Sequence, residues 1–221
     1  MLPEQWSISR RRATYAMHLT VCQLDILKEL INIGVGKAAG LINQMIKSHV
    51  RLELPEILVL SRDELAEYIR GRGPEVLSTV RLGFRGSFSG WSGLIFPRES
   101  ASWLVSQLLG DEGETTDMDL DSLRIGTIQE VGNIVLNGVM GSIVNVLKVD
   151  IDYFPPDYFE TDLNGLLGAE DTQNSMVLMI QTQFLMEKGV AEGEVIILFH
   201  IDTFENMLKA LDDLSQGITR Q

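Results

Sequence analysis

Cysteine, histidine and long apolar runs are scarce in this chain, and each scarcity excludes a class of structure. The lone cysteine, Cys22, cannot form an intramolecular disulfide, and the three histidines are too scattered to suggest a metal cage with it. No stretch of about 18 uncharged apolar residues occurs, so no membrane-spanning helix is expected. The sequence therefore predicts a protein of a reducing, cytoplasmic compartment, without membrane insertion.

Positive charge is also in short supply. The chain has 18 Lys and Arg against 31 Asp and Glu, which gives a formal net charge of −13. Non-specific binding to nucleic acid or to an anionic membrane depends on basic patches. A nucleic-acid partner is therefore not expected.

Apolar residues are abundant enough for a core. They make up 45% of the 221 residues, which suffices for one substantial core or two small ones. Residues 1–19 are expected to form an N-terminal arm or the first turns of the following helix. Arg10–Arg12 in this arm resemble an export signal only faintly, because Asp25 and Lys28 interrupt the apolar segment that such a signal needs.

An internal repeat is the most informative feature of the chain. The segment ELINIGVG, which begins at Glu29, is echoed by EVGNIVLN, which begins at Glu130. Asn133 thus lies 101 positions after Asn32. Repetition at a fixed offset indicates a tandem duplication.

Two prolines follow the same offset. Pro156 lies 101 positions after Pro55, so each proline stands at the same distance from the asparagine of its own copy. Residues 20–110 and 118–215 are interpreted as the two halves, because the acidic segment between them has no apolar period.

Each half predicts the same order of elements. Gln23–Ile46 has the 3.6-residue apolar period of a helix, Ile57–Leu60 is a short apolar strand, and Ser61 with Glu64 can form a capping box for a brief second helix. Two antiparallel strands and a helix opened by Pro97 follow. The second half is expected to contain helices at 122–146 and 163–167, strands at 151–154, 176–186 and 194–200, Gly189 and Gly193 in the last turn, and a final helix capped by Asp202 and Glu205.

The predicted fold class is α+β. An α-β-α-β-β-α unit occurs twice, and short antiparallel strands need a shared sheet to bury one face. We therefore expect a single domain over residues 1–221 with internal pseudo-twofold symmetry and two long helices that carry the repeated motif.

A polar stripe runs along the outer face of each long helix. A helix advances about 100° per residue, so spacings of three and four residues share one face. In the first half this stripe is Asp25, Glu29, Asn32 and Gly36, and in the second half it is Gly126, Glu130, Asn133 and Asn137. One such stripe is usually only a solvated face, but two copies at identical spacing favour a function.

The repeated pattern resembles the CheC, CheX and FliY phosphatases of bacterial and archaeal chemotaxis. Their motif has an Asp or Ser, a Glu, an Asn and a distant Pro at this spacing. The first copy matches at all four positions, Asp25, Glu29, Asn32 and Pro55. The second copy matches at Glu130, Asn133 and Pro156 but has Gly126 at the Asp or Ser position. Two motif copies are most similar to CheC, since CheX has one copy and FliY carries a further flagellar module.

The resemblance implies hydrolysis of the phosphoaspartate on a CheY-type response regulator. Glu29, Asn32, Glu130 and Asn133 would be the catalytic residues: the Asn orients the attacking water and the Glu pairs with a lysine of the regulator. The regulator supplies Mg²⁺, so the chain needs no cofactor and no metal site of its own. Supporting roles are assigned to Asp25, Gly36 and Asn137.

Some assignments remain open at this point. Asp25 either orients Glu29 or places a favourable charge near the start of the helix. Cys22 is interpreted as packing, and the prolines as structural. The main alternative function is a non-catalytic adaptor that docks a response regulator or a CheD-type receptor deamidase. A flagellar-motor switch component ranks third.

Overall fold

Two long helices pack side by side over one face of an antiparallel sheet of eight strands. The computed structural model describes residues 19–45, 49–54, 56–72, 75–109, 117–167 and 175–219. The arm at residues 1–18, Pro55 and the segment 110–116 lie outside these ranges. The elements in chain order are α1 (Val21–Met45), β1 (Arg51–Glu53), β2 (Ile57–Leu60), α2 (Arg62–Arg72), β3 (Leu77–Gly86), β4 (Gly90–Pro97), α3 (Arg98–Leu109), α4 (Asp117–Leu147), β5 (Ile151–Tyr153), β6 (Asp157–Thr161), α5 (Leu163–Leu166), β7 (Ser175–Met186), β8 (Gly189–His200) and α6 (Ile201–Thr219).

The sheet buries both of its faces. Side chains alternate along a strand, so neighbouring residues point to opposite sides. In β4, Leu94 and Phe96 belong to the larger core under α1, α3, α4 and α6, whereas Trp91 and Ile95 belong to a smaller core under α2 and α5. The molecule therefore has three layers, with the long helices on the side of the larger core.

The strand order shows how the two halves share the sheet. The order is β1-β7-β8-β4-β3-β5, with β2 also paired to β7 and β6 to β3. The counterparts in the two halves are β1 and β5, β2 and β6, β3 and β7, and β4 and β8. If each strand is replaced by its counterpart, the same order is obtained when the sheet is read from its other edge. A pseudo-twofold axis thus passes between β4 and β8, as the duplication predicts. Each half also lends short strands to the other, because β1 and β2 pair with β7 while β5 and β6 pair with β3.

α1 and α4 run antiparallel and cross at small residues. A β-carbon added to Gly138 would lie 2.7 Å from the carbonyl oxygen of Gly34. Further along, the hydroxyl of Ser142 donates to the carbonyl oxygen of Leu30. Leu30 thus contacts Ser142, and Gly34 contacts Gly138. Because the residue numbers of the partners fall along α4 as they rise along α1, the two helices are antiparallel.

The helix starts are explained by local hydrogen bonds. The amide of Thr20 donates to Oε1 of Gln23 at 2.8 Å, and the amide of Gln23 donates to Oγ1 of Thr20 at 3.2 Å. This capping box places the start of α1 two residues before the predicted one. The predicted box at α2 is confirmed, since Ser61 and Glu64 exchange the equivalent bonds at 2.8 and 3.4 Å.

Three expectations about local structure are wrong. Each half has one more short strand than predicted, β1 and β6, because strands of three to five residues leave little periodicity. Gly193 lies inside β8 rather than in the turn; a β-carbon there would meet the ring of Phe96 at 2.5 Å. Cys22 is exposed rather than packed, because the buried face of α1 begins at Gln23 and continues at Leu27.

α4 combines length with an apolar composition. It is the one helix in the described part of the chain that could span a membrane by length and composition alone. Its side chains Val135, Val139 and Ile143 are completely buried within the larger core. This burial is the pattern of a core helix.

Candidate functional site

The first motif copy lies on the outer face of α1. Asp25, Glu29, Asn32 and Gly36 are all exposed. The opposite face of the helix is buried, with Leu27 and Ile31 completely inaccessible to solvent. The apolar stripe therefore anchors α1 to the core, and helical spacing turns Glu29 and Asn32 outward, one turn apart.

The second copy has the same placement on α4 with one difference. Gly126, Glu130 and Asn137 are exposed, whereas Asn133 is half-buried. The inner face of α4 packs closely on the sheet at Gly132, where a β-carbon would meet the side chain of Val80 at 2.5 Å. Because Gly132 directly precedes Asn133, this close packing sets the position of Asn133 relative to the sheet.

The crossing of the helices sets the relation between the copies. Each Glu and Asn pair precedes the crossing point, which lies at Gly34 on α1 and at Gly138 on α4. Because the helices are antiparallel, the two pairs lie on opposite sides of the crossing point. The protein thus presents two separate surfaces, each with one carboxylate and one carboxamide.

The asparagines differ in their hydrogen bonds. Nδ2 of Asn137 donates to Oδ1 of Asn133 at 2.7 Å and to its carbonyl oxygen at 2.9 Å. In the first copy the corresponding position is Gly36, which has no side chain. Within the described residues, the side chain of Asn32 has no hydrogen bond. The sequence placed Asn137 on the stripe but did not predict this contact, since an asparagine rotamer is not encoded in spacing.

The position of Asp25 in α1 bears on whether its charge stabilises the start of the helix. No acidic residue lies in the first turn of α1, and Asp25 stands just beyond it. Helix-dipole stabilisation is concentrated in that turn, so this interpretation loses its basis. Within the described chain, no hydrogen bond joins Asp25 to Glu29, and an orienting role stays a prediction.

Of the two motif prolines, the structure describes only Pro156. Pro55 lies outside the described residues. The carbonyl oxygen of Pro156 accepts a hydrogen bond from Nε2 of Gln129 at 2.9 Å. Gln129 is the residue before Glu130, so this bond ties the segment after α4 to the motif turn. Sequence analysis did not identify Gln129, because its partner is 27 residues away.

An open groove of about 450 Å³ adjoins the second copy. Glu130 and Gly126 line it together with apolar residues from the ends of three helices, among them Met45, Leu108 and Leu123. Met45 and Leu123 are 57% and 40% exposed. The groove could not be predicted from the sequence, because it forms where α1, α3 and α4 converge.

The described residues contain no cluster of three or more His, Cys, Asp or Glu side chains with the geometry of a metal site. His49 and His200 are exposed, the first between α1 and β1 and the second at the end of β8, and His18 lies outside the described residues. Each motif offers a carboxylate, which accepts hydrogen bonds, and an amide, which both donates and accepts them.

The chain is 24% identical over 197 residues to the CheY-P phosphatase CheC of Bacillus subtilis (strain 168), across 86% of this chain and 93% of that protein. FliY of Thermotoga maritima superposes with a TM-score of 0.67 at 15% identity, covering 90% of this chain and all of that one. The chain is thus similar to a CheC protein along most of both sequences, and it shares its fold with a FliY protein. No protein-family model matches it.

Two further solved structures share the fold of this chain. FliM in the FliM-SpeE complex from H. pylori has a TM-score of 0.64 at 12% identity, over 90% of this chain and 98% of that one. The CheX-CheY-BeF3-Mg²⁺ complex from Borrelia burgdorferi gives a TM-score of 0.52 at 19% identity, over 79% of this chain and 97% of that one. These likenesses confirm the α+β fold with its shared sheet.

Proposed function

We propose that this chain hydrolyses the phosphoaspartate of a CheY-type response regulator in chemotaxis. The observation that carries the proposal is the outward placement of Glu29 with Asn32 and of Glu130 with Asn133 on two symmetry-related helices. A relative at 24% identity is a CheY-P phosphatase. Glu29, Asn32 and Glu130 are exposed and Asn133 is half-buried. Pairs that reach the surface in this way can enter the active site of another protein, which a fully buried pair could not do.

The asparagine is the residue proposed to act on the nucleophile. A carboxamide can donate to one oxygen and accept from a water molecule at the same time, without ionising. The water oxygen forms a bond to phosphorus while the bond from phosphorus to the regulator's aspartyl oxygen breaks. The products are the free carboxylate and inorganic phosphate, and both hydrogens of the water leave with the phosphate as H₂PO₄⁻. Alignment of this kind is a main source of catalysis in phosphoryl transfer.

The glutamate is proposed to hold the complex in register. A lysine next to the phosphoryl group of the regulator would pair with Glu29 or Glu130 in a charge-assisted contact. If alignment and pairing together contribute about 3 to 4 kcal/mol, the rate rises by roughly two to three orders of magnitude. The regulator supplies Mg²⁺ in this scheme, and the chain contributes no metal.

The proposed setting is the cytoplasm, where phosphorylated response regulators occur. The phosphorylated regulator is the primary partner, and a CheD-type deamidase is a further one. A non-catalytic adaptor is the second candidate function. It is favoured by the fold likeness to FliM, whose structure was solved in complex with SpeE.

The deciding experiment follows dephosphorylation of a purified phosphorylated chemotaxis regulator with and without this chain. The Asn32→Ala and Asn133→Ala double variant is compared with Asn145→Ala, which removes an exposed asparagine of α4 outside the motif. The proposal expects the double variant to lose the acceleration and the control to keep it. An adaptor would bind the regulator without changing its dephosphorylation rate, and a fully active double variant would refute the catalytic assignment.

A further inference from the structure

The contact between Asn137 and Asn133 determines which way the catalytic carboxamide of the second copy faces. A carbonyl oxygen can only accept a hydrogen bond. The atom of Asn137 that lies 2.9 Å from the carbonyl oxygen of Asn133 must therefore be the amide nitrogen. The same nitrogen lies 2.7 Å from the side chain of Asn133, so the atom it meets there must be the oxygen Oδ1.

This assignment leaves a specific set of groups free on Asn133. One lone pair of Oδ1 is occupied by Asn137, and the other remains available. Both hydrogens of the Asn133 Nδ2 group remain without a partner inside the described structure. The side chain can thus donate outward and still accept once, which are the two actions the proposed reaction requires.

The first copy lacks this arrangement. Gly36 occupies the position one turn after Asn32, and a β-carbon added there would meet nothing within 4 Å. Asn32 is more exposed than Asn133, and its amide is free to rotate among several orientations. The first copy has the acidic Asp25 before its glutamate, whereas the second has Gly126, so each copy has one supporting group that the other lacks.

We propose that Asn137 is a positioning residue that holds the carboxamide of Asn133 with its amino group directed outward, and that the first site works without this preorganisation. This inference rests on the proposed phosphatase function. A positioned amide avoids the ordering cost of a side chain at the moment of reaction. Its loss should lower kcat by roughly three- to tenfold and leave KM nearly unchanged.

The first test measures order without any activity. Heteronuclear ¹H–¹⁵N NOE values of the side-chain NH₂ groups report motion on the picosecond to nanosecond timescale. In the unmodified chain, Asn133 should give the higher value and Asn32 the lower. Asn137→Ala should lower the value for Asn133 to that of Asn32. Equal values for the two asparagines in the unmodified chain would overturn the inference.

The second test introduces an asparagine one turn after Asn32, at the position that corresponds to Asn137. Gly36→Asn should raise kcat above that of Gly36→Ala when both are made in the Asn133→Ala background. The alanine variant controls for the gain in helix propensity that any replacement of this glycine brings. Equal kcat values would overturn the inference, whether or not the second site is active.

The third test removes the side-chain amide of Asn137 from the second site. In the Asn32→Ala background, Asn137→Ala should lower kcat at constant KM. If it leaves kcat unchanged while the added Asn133→Ala change abolishes turnover, Asn137 does not position the amide but the proposed function stands. If the combined Asn32→Ala and Asn133→Ala chain remains active, the proposed function itself fails.

Discussion

Gly34 and Gly138 lie backbone against backbone where α1 crosses α4, and each occupies the space that a side chain of the other would need. A β-carbon on Gly138 would lie 2.7 Å from the carbonyl oxygen of Gly34, and one on Gly34 would lie 2.6 Å from the hydroxyl of Ser142. This close approach fixes how the helices cross. It also decides where the two motif pairs stand relative to each other.

The first prediction concerns this crossing. Gly34→Ala should lower the free energy of unfolding by about 1–3 kcal/mol, because the added methyl overpacks rigid backbone. Gly36→Ala is the matched control on the same helix, and it should raise the free energy of unfolding by about 0.5–1 kcal/mol because its site is open. Urea unfolding of both variants measures the difference. Similar values for the two variants would contradict the packing argument.

The second prediction compares the two copies. Asn32→Ala should remove at least half of the phosphatase activity, because the first copy matches the motif completely and the second has Gly126 in place of the acid. Rates of regulator dephosphorylation by Asn32→Ala and by Asn133→Ala provide the measurement. A smaller loss from Asn32→Ala than from Asn133→Ala would show that the ordered amide of the second copy outweighs the missing acid.

The third prediction restores that missing group. Gly126→Ser should raise the activity of the second copy in the Asn32→Ala background above that of Gly126→Ala. Both changes fit, since a β-carbon at Gly126 meets nothing within 4 Å. The serine adds a hydroxyl one turn before Glu130, within reach of its carboxylate, and the alanine adds none. Identical rates for the two variants would mean that this position does not assist Glu130.

The fourth prediction concerns alkaline pH. Burial raises the pKa of Tyr153 from 10.0 to about 12 in the folded chain. The unfolded chain then loses this proton first, so stability is complete below about pH 10 and falls as the pH rises toward about 12. The effect is modest because Tyr153 is 38% exposed. Between about pH 9 and about pH 11, Tyr153→Phe should lose less unfolding free energy than the unmodified chain, and equal losses would exclude Tyr153 as the cause.

The fifth prediction concerns magnesium. A chelator should stop dephosphorylation by acting on the regulator, and calorimetric titration of Mg²⁺ into this chain alone should show no stoichiometric binding. Stoichiometric binding by the isolated chain would overturn the assignment of the metal to the regulator.

Much of the architecture could be predicted because it is encoded locally and twice. The apolar period of α1 predicted a helix over Gln23–Ile46, and the structure has Val21–Met45. The strand Ile57–Leu60 and the capping box at Ser61 have the expected positions. The short strands β1 and β6 were missed because strands of three to five residues leave little periodicity.

The sequence predicted which helix faces carry the candidate site but not the hydrogen bonds within it. The stripe that carries Glu29 and Asn32 faces solvent, because helical spacing determines a face once the apolar side is buried. The hydrogen bond from Asn137 and the contact between Gln129 and Pro156 were not predictable. A rotamer depends on its surroundings, and a contact across 27 residues depends on the path of the chain.

By itself, the sequence determined the two long helices, their duplication and the residues on their outer faces, since periodicity and repetition act over neighbouring positions. Only the tertiary structure decided that the helices run antiparallel, that the two pairs lie on opposite sides of the crossing point, and that a groove adjoins Glu130. These features arise from the close contact at Gly34 and Gly138 and from strands shared between the halves. Packing of residues a hundred positions apart produces them, and no local pattern records such contacts.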